Sequence, residues 1–189
     1  MTENRNTNAA SGGATAPSGG ATAAPVRDHV DHVLDQWHAQ RPDLDVSPMA
    51  VIGRLKRLML LIDPEMKRTF AAHGLDRASF DVLATLRRNG PDRPLTPAEL
   101  MASAMVTSGA VTQRLDRLQG RGLITRRPSP TDGRVVQVAL TEKGLALVEA
   151  TLPDHLATES RLLSALSPAE QEQLALLMRT LLLGLGDEF

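Results

Sequence analysis

Cysteine and tyrosine are absent from this 189-residue chain, which has a single Trp and three Phe. Without cysteine there are no disulfides, no thiolate zinc sites and no thiol-based redox sensor. With aromatics at 2%, a core must be built from Leu, Val, Ala and Met. That favours helices over a β-sandwich. Long apolar runs are missing too. None is longer than residues 58–62, Leu-Met-Leu-Leu-Ile, far short of a membrane span. Residues 1–25 hold no apolar run, so no secretory signal is expected and a cytoplasmic protein is. An excess of positive charge is also lacking, since the formal net charge is −1. A nucleic-acid binder needs a basic face, not a basic sum, so charge placement decides. Enzyme signatures are missing as well: there is no Gly-x-Ser-x-Gly elbow, no His-Glu-x-x-His, no phosphate loop and no visible acid/base carboxylate pair. The chain is therefore not expected to be an enzyme. No resident cofactor or metal is expected either. His29-x-x-His32, with Asp28, Asp31 and Asp35 nearby, is the one metal candidate, but such pairs are usually solvated.

What is present is helical punctuation. Residues 1–25 repeat Ser-Gly-Gly-Ala-Thr-Ala from Ser11 and again from Ser18. They have nothing large to bury and read as a disordered tail. Residues 26–40 place Val30, Val33, Leu34 and Trp37 on one helical face. Ser47-Pro48 opens a long helix to about 72, with Pro64 set to kink or interrupt it. Asp76 can cap a helix over 77–88. Thr96-Pro97-Ala98-Glu99 is a capping box for a short helix. Thr107 or Ser108 caps the next, which ends at Gly120 or Gly122. Residues 123–127 and 134–140 alternate as two strands around a turn over 128–133. Thr141 then caps a helix to about 164. Ser167-Pro168-Ala169-Glu170 starts the last, to about 183. The fold class expected is mainly α with a β-hairpin wing, a winged helix-turn-helix. Residues 76–140 are expected to form the winged lobe, the DNA-binding lobe if the helix after Thr107 and the hairpin carry that role. The segments 26–72 and 142–185, too apolar for a solitary domain, are expected to pair two copies into a homodimer.

The helix after Thr107 divides its residues as a recognition helix does. Val111, Leu115 and Leu118 can face the core, and Thr112, Gln113 and Arg117 can face out. Ser108, Gly109 and Ala110 are small, where close approach to a groove is needed. Thr107, Ser108 and Gly109 suit phosphate contacts. Gln113 suits adenine, and Arg117 suits guanine or phosphate. From Arg114 to Arg134 there are six arginines against two acids. An arginine run is usually a solvated face. Here arginines stand on both the helix and the hairpin, including Arg127 and Arg134, and that points to double-stranded DNA. Arg134 at the hairpin tip suits the minor groove. Asp132 either orients Arg134 by a salt bridge or shapes the turn.

The stretch from Leu95 to Gly144, LTPAELMASAMVTSGAVTQRLDRLQGRGLITRRPSPTDGRVVQVALTEKG, resembles the MarR family of bacterial regulators. The family's wing usually reads Asp-Arg-Arg. Here Gly133 stands in the middle, which implies one phosphate or groove contact fewer, while Asp132 and Arg134 match. The leading helix with Trp37, then FDVLATLRR, TQRLDRL, LITRRPSP and LPDHLATESRLLSALSPAEQEQL, is similar to the urate-responsive branch (HucR and PecS type). That branch uses a Trp, an Asp and two Arg. The resemblance thus implies an effector site at Trp37, Asp81, Arg114 and Arg126. Planar guanidinium groups suit a planar oxygen-rich anion, and indole can pack on it. The bland readings are a packing Trp, a carboxylate favoured by its helix dipole, and arginines bound only to phosphate. The function implied is a regulator, a repressor in the first instance, released from a pseudo-palindromic operator by a small anionic effector. Urate or a related purine leads. An organic acid, a phenolic anion or a winged-helix protein-interaction module are the alternatives.

Overall fold

The computed structural model describes Met1 and residues 26–90, 93–103 and 111–187. The tail expected over 1–25, apart from Met1, lies outside the described residues. The order is α1 His29–Gln40, α2 Ser47–Ala72, α3 Arg77–Arg88, α4 Pro97–Ser103, α5 Val111–Gly120, β1 Ile124–Pro128, β2 Val136–Leu140, α6 Glu142–Leu162 and α7 Pro168–Gly184. This is the expected succession of helices, one hairpin and two further helices. The chain divides into two compact units, Met1–Arg54 and Leu55–Phe189.

In the first unit, α1 begins at His29 rather than at 26, because Asp28 is its cap. The Asp28 carboxylate accepts from the amides of Val30 and Asp31, and Asp31 answers the Asp28 amide at 2.9 Å. Arg54 clamps this box, donating to Asp28 at 2.7 Å and Asp31 at 2.6 Å. The reciprocal amide bonds with each other, and then Arg54, hold both carboxyls below their ordinary value. The side chain of Val30 lies against Gly53, where a Cβ would approach it to 3.1 Å.

α2 continues through Pro64 instead of breaking there. Proline at that place removes one i→i−4 bond, and burial of Met66 and Phe70 beyond it favours the continued helix. In the second unit α2 delivers Met66 and Phe70 to a core shared with Phe80, Leu83 and Leu86 of α3, Leu100 of α4, Leu115 and Leu118 of α5, and Val148 of α6. Phe70 and Phe80 stack at 4.6 Å between centroids. Four helix starts carry the caps expected: Asp76 accepts from the Ser79 amide, Thr141 accepts from the Gly144 amide, and Thr96/Glu99 and Ser167/Glu170 form reciprocal boxes. Each such cap contributes about 1 kcal/mol.

The hairpin is antiparallel, with Ile124 opposite Leu140 and Pro128 opposite Val136. Its second strand starts two residues later than expected, because 129–135 form the loop. Ser129 donates its amide to the Val135 carbonyl at 2.7 Å. Leu95 adds a single rung beside Val138, exchanging bonds of 3.0 and 2.7 Å. The hairpin is anchored on α6 through Thr141, whose amide donates to the Leu123 carbonyl and whose hydroxyl donates to that of Gly122. On α7 no residue is buried, and Leu176, Leu177, Leu181, Leu182 and Leu183 are all exposed.

Candidate nucleic-acid interface and effector site

α5 presents two faces. Leu115 and Leu118 are buried, while Thr112, Gln113, Asp116, Arg117 and Gln119 are exposed. This is the division expected of a helix that rests on a core and offers a polar stripe outward. Thr107, Ser108 and Gly109, assigned to phosphate contacts, lie outside the described residues. Arg117 stands 3.3 Å from Asp76, with both side chains at least half exposed. Such a pair contributes little, about 0–1 kcal/mol, so a phosphate can take over the guanidinium at small cost. Partial burial pushes the Asp76 carboxyl up. The Ser79 amide and hydroxyl, Arg117 and Arg114 outweigh it and hold the carboxyl below the ordinary 3.8.

At the hairpin tip, Asp132 shapes the turn. Its Oδ1 accepts from the Arg134 amide at 3.0 Å, and its carbonyl accepts from Val135 at 2.9 Å. Of the two roles open to Asp132, this is the second. The Arg127 and Arg134 side chains are exposed. A side chain at position 133 would meet nothing within 4 Å. Glycine there is not required by packing, and the wing simply has one side chain fewer to offer.

Of the four effector candidates, Trp37 belongs to the first unit and is 41% exposed. The other three belong to the second. Asp81 is half-buried on α3 and already engaged in a polar interaction. Arg114 is half-buried on α5. Its Nε and Nη1 are both fully buried and lack a hydrogen-bond partner among the described residues. Buried donors left so cost about 1–3 kcal/mol, and an acceptor supplied from outside would recover it. Arg126, on β1, reaches across to α5: its Nη2 donates to Asp116 and its Nε to Gln119. Asp116, Gln119 and Asp76 are the residues that reading the sequence did not place in the site. Asp116 and Gln119 are three apart, so they share a face of α5, and that spacing was the available signal.

A cleft of about 340 Å³ lies elsewhere in the second unit, among the end of α3, the end of β2 and the start of α6. None of the effector candidates lines it. Among the described residues no group of three or more His, Cys, Asp or Glu is placed to hold a metal, and no helix is long and apolar enough to cross a membrane.

A short helix, a second helix with a polar outer face and an adjoining hairpin tipped with arginine define a winged helix-turn-helix DNA-binding protein. Comparison with known proteins gives the family. A MarR-family profile matches residues 73–135. The HTH-type transcriptional regulator PecS of Dickeya dadantii is 39% identical over 149 residues, which is 79% of this chain and 90% of PecS. Among solved structures, a mutant of E. coli MarR complexed with operator DNA aligns with a TM-score of 0.63 at 28% identity, covering 72% of this chain and 95% of that one. BpsR of Bordetella bronchiseptica, whose DNA binding is regulated by 6-hydroxynicotinic acid, aligns with a TM-score of 0.63 at 27% identity, covering 69% and 91%. The chain belongs to the MarR family of DNA-binding transcriptional regulators. Its relatives are regulators, not enzymes.

Proposed function

We propose that this regulator is a cytoplasmic, homodimeric repressor that leaves its operator when a small anionic effector binds, with urate or a related purine the leading effector. The observation that carries the effector half is Arg114. It projects two buried donors with no hydrogen-bond partner among the described residues, from the helix that carries Thr112, Gln113 and Arg117. An anion that pairs with Arg114 changes the forces on that helix, and so couples ligand to DNA. BpsR, a relative in fold, responds to a flat aromatic acid. That supports an effector of similar shape and charge here. The dimer is supported by the five exposed leucines of α7, an apolar face that a second copy would cover.

Release requires an effector that prefers the DNA-incompetent state. A hundredfold loss of DNA affinity needs about 2.7 kcal/mol of that preference per dimer. Re-pairing one or two guanidinium groups is of that order. The test is a mobility-shift titration on the DNA upstream of the regulator's own gene, with urate, xanthine and citrate added in turn. Sequence-preferring binding that urate reverses at lower concentration than citrate is expected. Binding that all three leave unchanged would remove the proposed effector class.

A further inference from the structure

We propose that Arg126 is a latch joining the wing to α5, and that Asp116 and Gln119 are positioning residues for DNA binding through it. The proposal rests on the reading above, in which α5 and the hairpin grip DNA together. One guanidinium on β1 engages two side chains one turn apart on α5, by two different nitrogens. Two anchors on a planar group fix both distance and rotation between strand and helix, which a single contact does not. Arg126 is also the less exposed member, at 25% against 58% for Asp116. It is spent within the protein and is not offered to phosphate, unlike its neighbour Arg127, which is exposed.

The sign of the Asp116 effect separates this role from plain electrostatics. Asp116 is an acid on the exposed face of the helix that approaches DNA. By charge alone its removal should strengthen binding to a polyanion. As half of a latch, its removal loosens the wing and should weaken binding. The same geometry gives the site a means of regulation. An anionic effector that captures the Arg126 guanidinium competes with Asp116 for it. Asp116 is then left uncompensated on the DNA-facing helix, and the loss of alignment and the added repulsion act in the same direction.

A double-mutant cycle tests the latch in the full-length protein. Affinity and its salt dependence are measured, with thermal unfolding as a control, on a duplex for which the unaltered protein shows sequence preference. Asp116→Asn and Arg126→Ala are each expected to lower affinity by about five- to tenfold, with the double variant no weaker than either single one. Gln119→Ala, which changes no charge, is expected to weaken binding without altering the salt slope. Tighter binding by Asp116→Asn, or effects that simply add, would overturn the latch while leaving the DNA-binding reading intact. A protein that shows no preference for any duplex would overturn both.

Discussion

Gly144 packs α6 against the base of the wing more closely than any side chain allows, so Gly144→Ala should destabilise the protein although it sits in a helix. Alanine is ordinarily preferred to glycine there by about 1 kcal/mol. Yet a Cβ at 144 would fall 1.9 Å from the Leu123 carbonyl oxygen and 2.9 Å from its carbon. Both are backbone atoms, so no rotamer change relieves the contact. Ordinary separation needs a shift of about 1.5 Å, by difference from usual carbon contacts. That carbonyl also accepts from the Thr141 amide at 3.1 Å, and the Thr141 hydroxyl donates to Gly122 at 2.7 Å. Moving α6 away strains both bonds. Overpacking costs about 1–3 kcal/mol and a weakened hydrogen bond about 1 kcal/mol. After the helix-propensity gain, the net loss is about 1–3 kcal/mol. For a chain of this size that lowers the melting temperature by roughly 2–12 °C. Circular dichroism during thermal unfolding reads it, at one fixed protein concentration because association shifts the midpoint. A melting temperature equal to or above that of the unaltered protein would refute the packing reasoning.

Three further outcomes are expected. Arg126→Ala should weaken urate binding in calorimetry more than it lowers the melting temperature, and unchanged affinity in a folded variant would exclude Arg126 from the effector site. Gly133→Arg should tighten DNA binding and steepen its salt slope by about one phosphate, because space for the side chain is open; an unchanged slope would show that the wing tip does not reach phosphate. Asp76 has a depressed pKa in the fold. Its ionised form therefore stabilises the fold fully above the ordinary 3.8, and that contribution fades as pH falls through the lower folded value. Asp76→Asn keeps the cap but not the charge, so its stability deficit, below about 1 kcal/mol for so exposed a pair, should shrink as pH is lowered. A deficit that grows with acidity would contradict this.

The helix starts were legible in the sequence because their signals are local. Asp76, Thr96, Thr141 and Ser167 all cap as their spacing to the next amides dictates. The same rule explains why α1 starts at His29 and not at 26, since Asp28 caps it. Pro64 carries a signal for a kink or a break, and of these the break is absent: α2 runs on through it, with Met66 and Phe70 buried just beyond. The rung between Leu95 and Val138 is a single pair with no strand of its own, so alternation could not reveal it. Site chemistry was legible by residue type and not by partner. Residue type and resemblance single out Arg126, but its hold on Asp116 and Gln119 depends on how β1 folds back over α5. That Arg114 buries donors without a hydrogen bond among the described residues is likewise a property of packing. Periodicity could place it on α5 but not inside the lobe.

The measurement that bears most directly on all of this is the salt dependence of DNA affinity, for the full-length protein and for Arg127→Ala and Arg134→Ala. The logarithm of the association constant should fall linearly with the logarithm of salt concentration, and each substitution should reduce that slope by about one phosphate. Affinity indifferent to salt, or slopes untouched by removing both exposed wing arginines, would contradict the assignment of α5 and the hairpin as the surface that meets DNA.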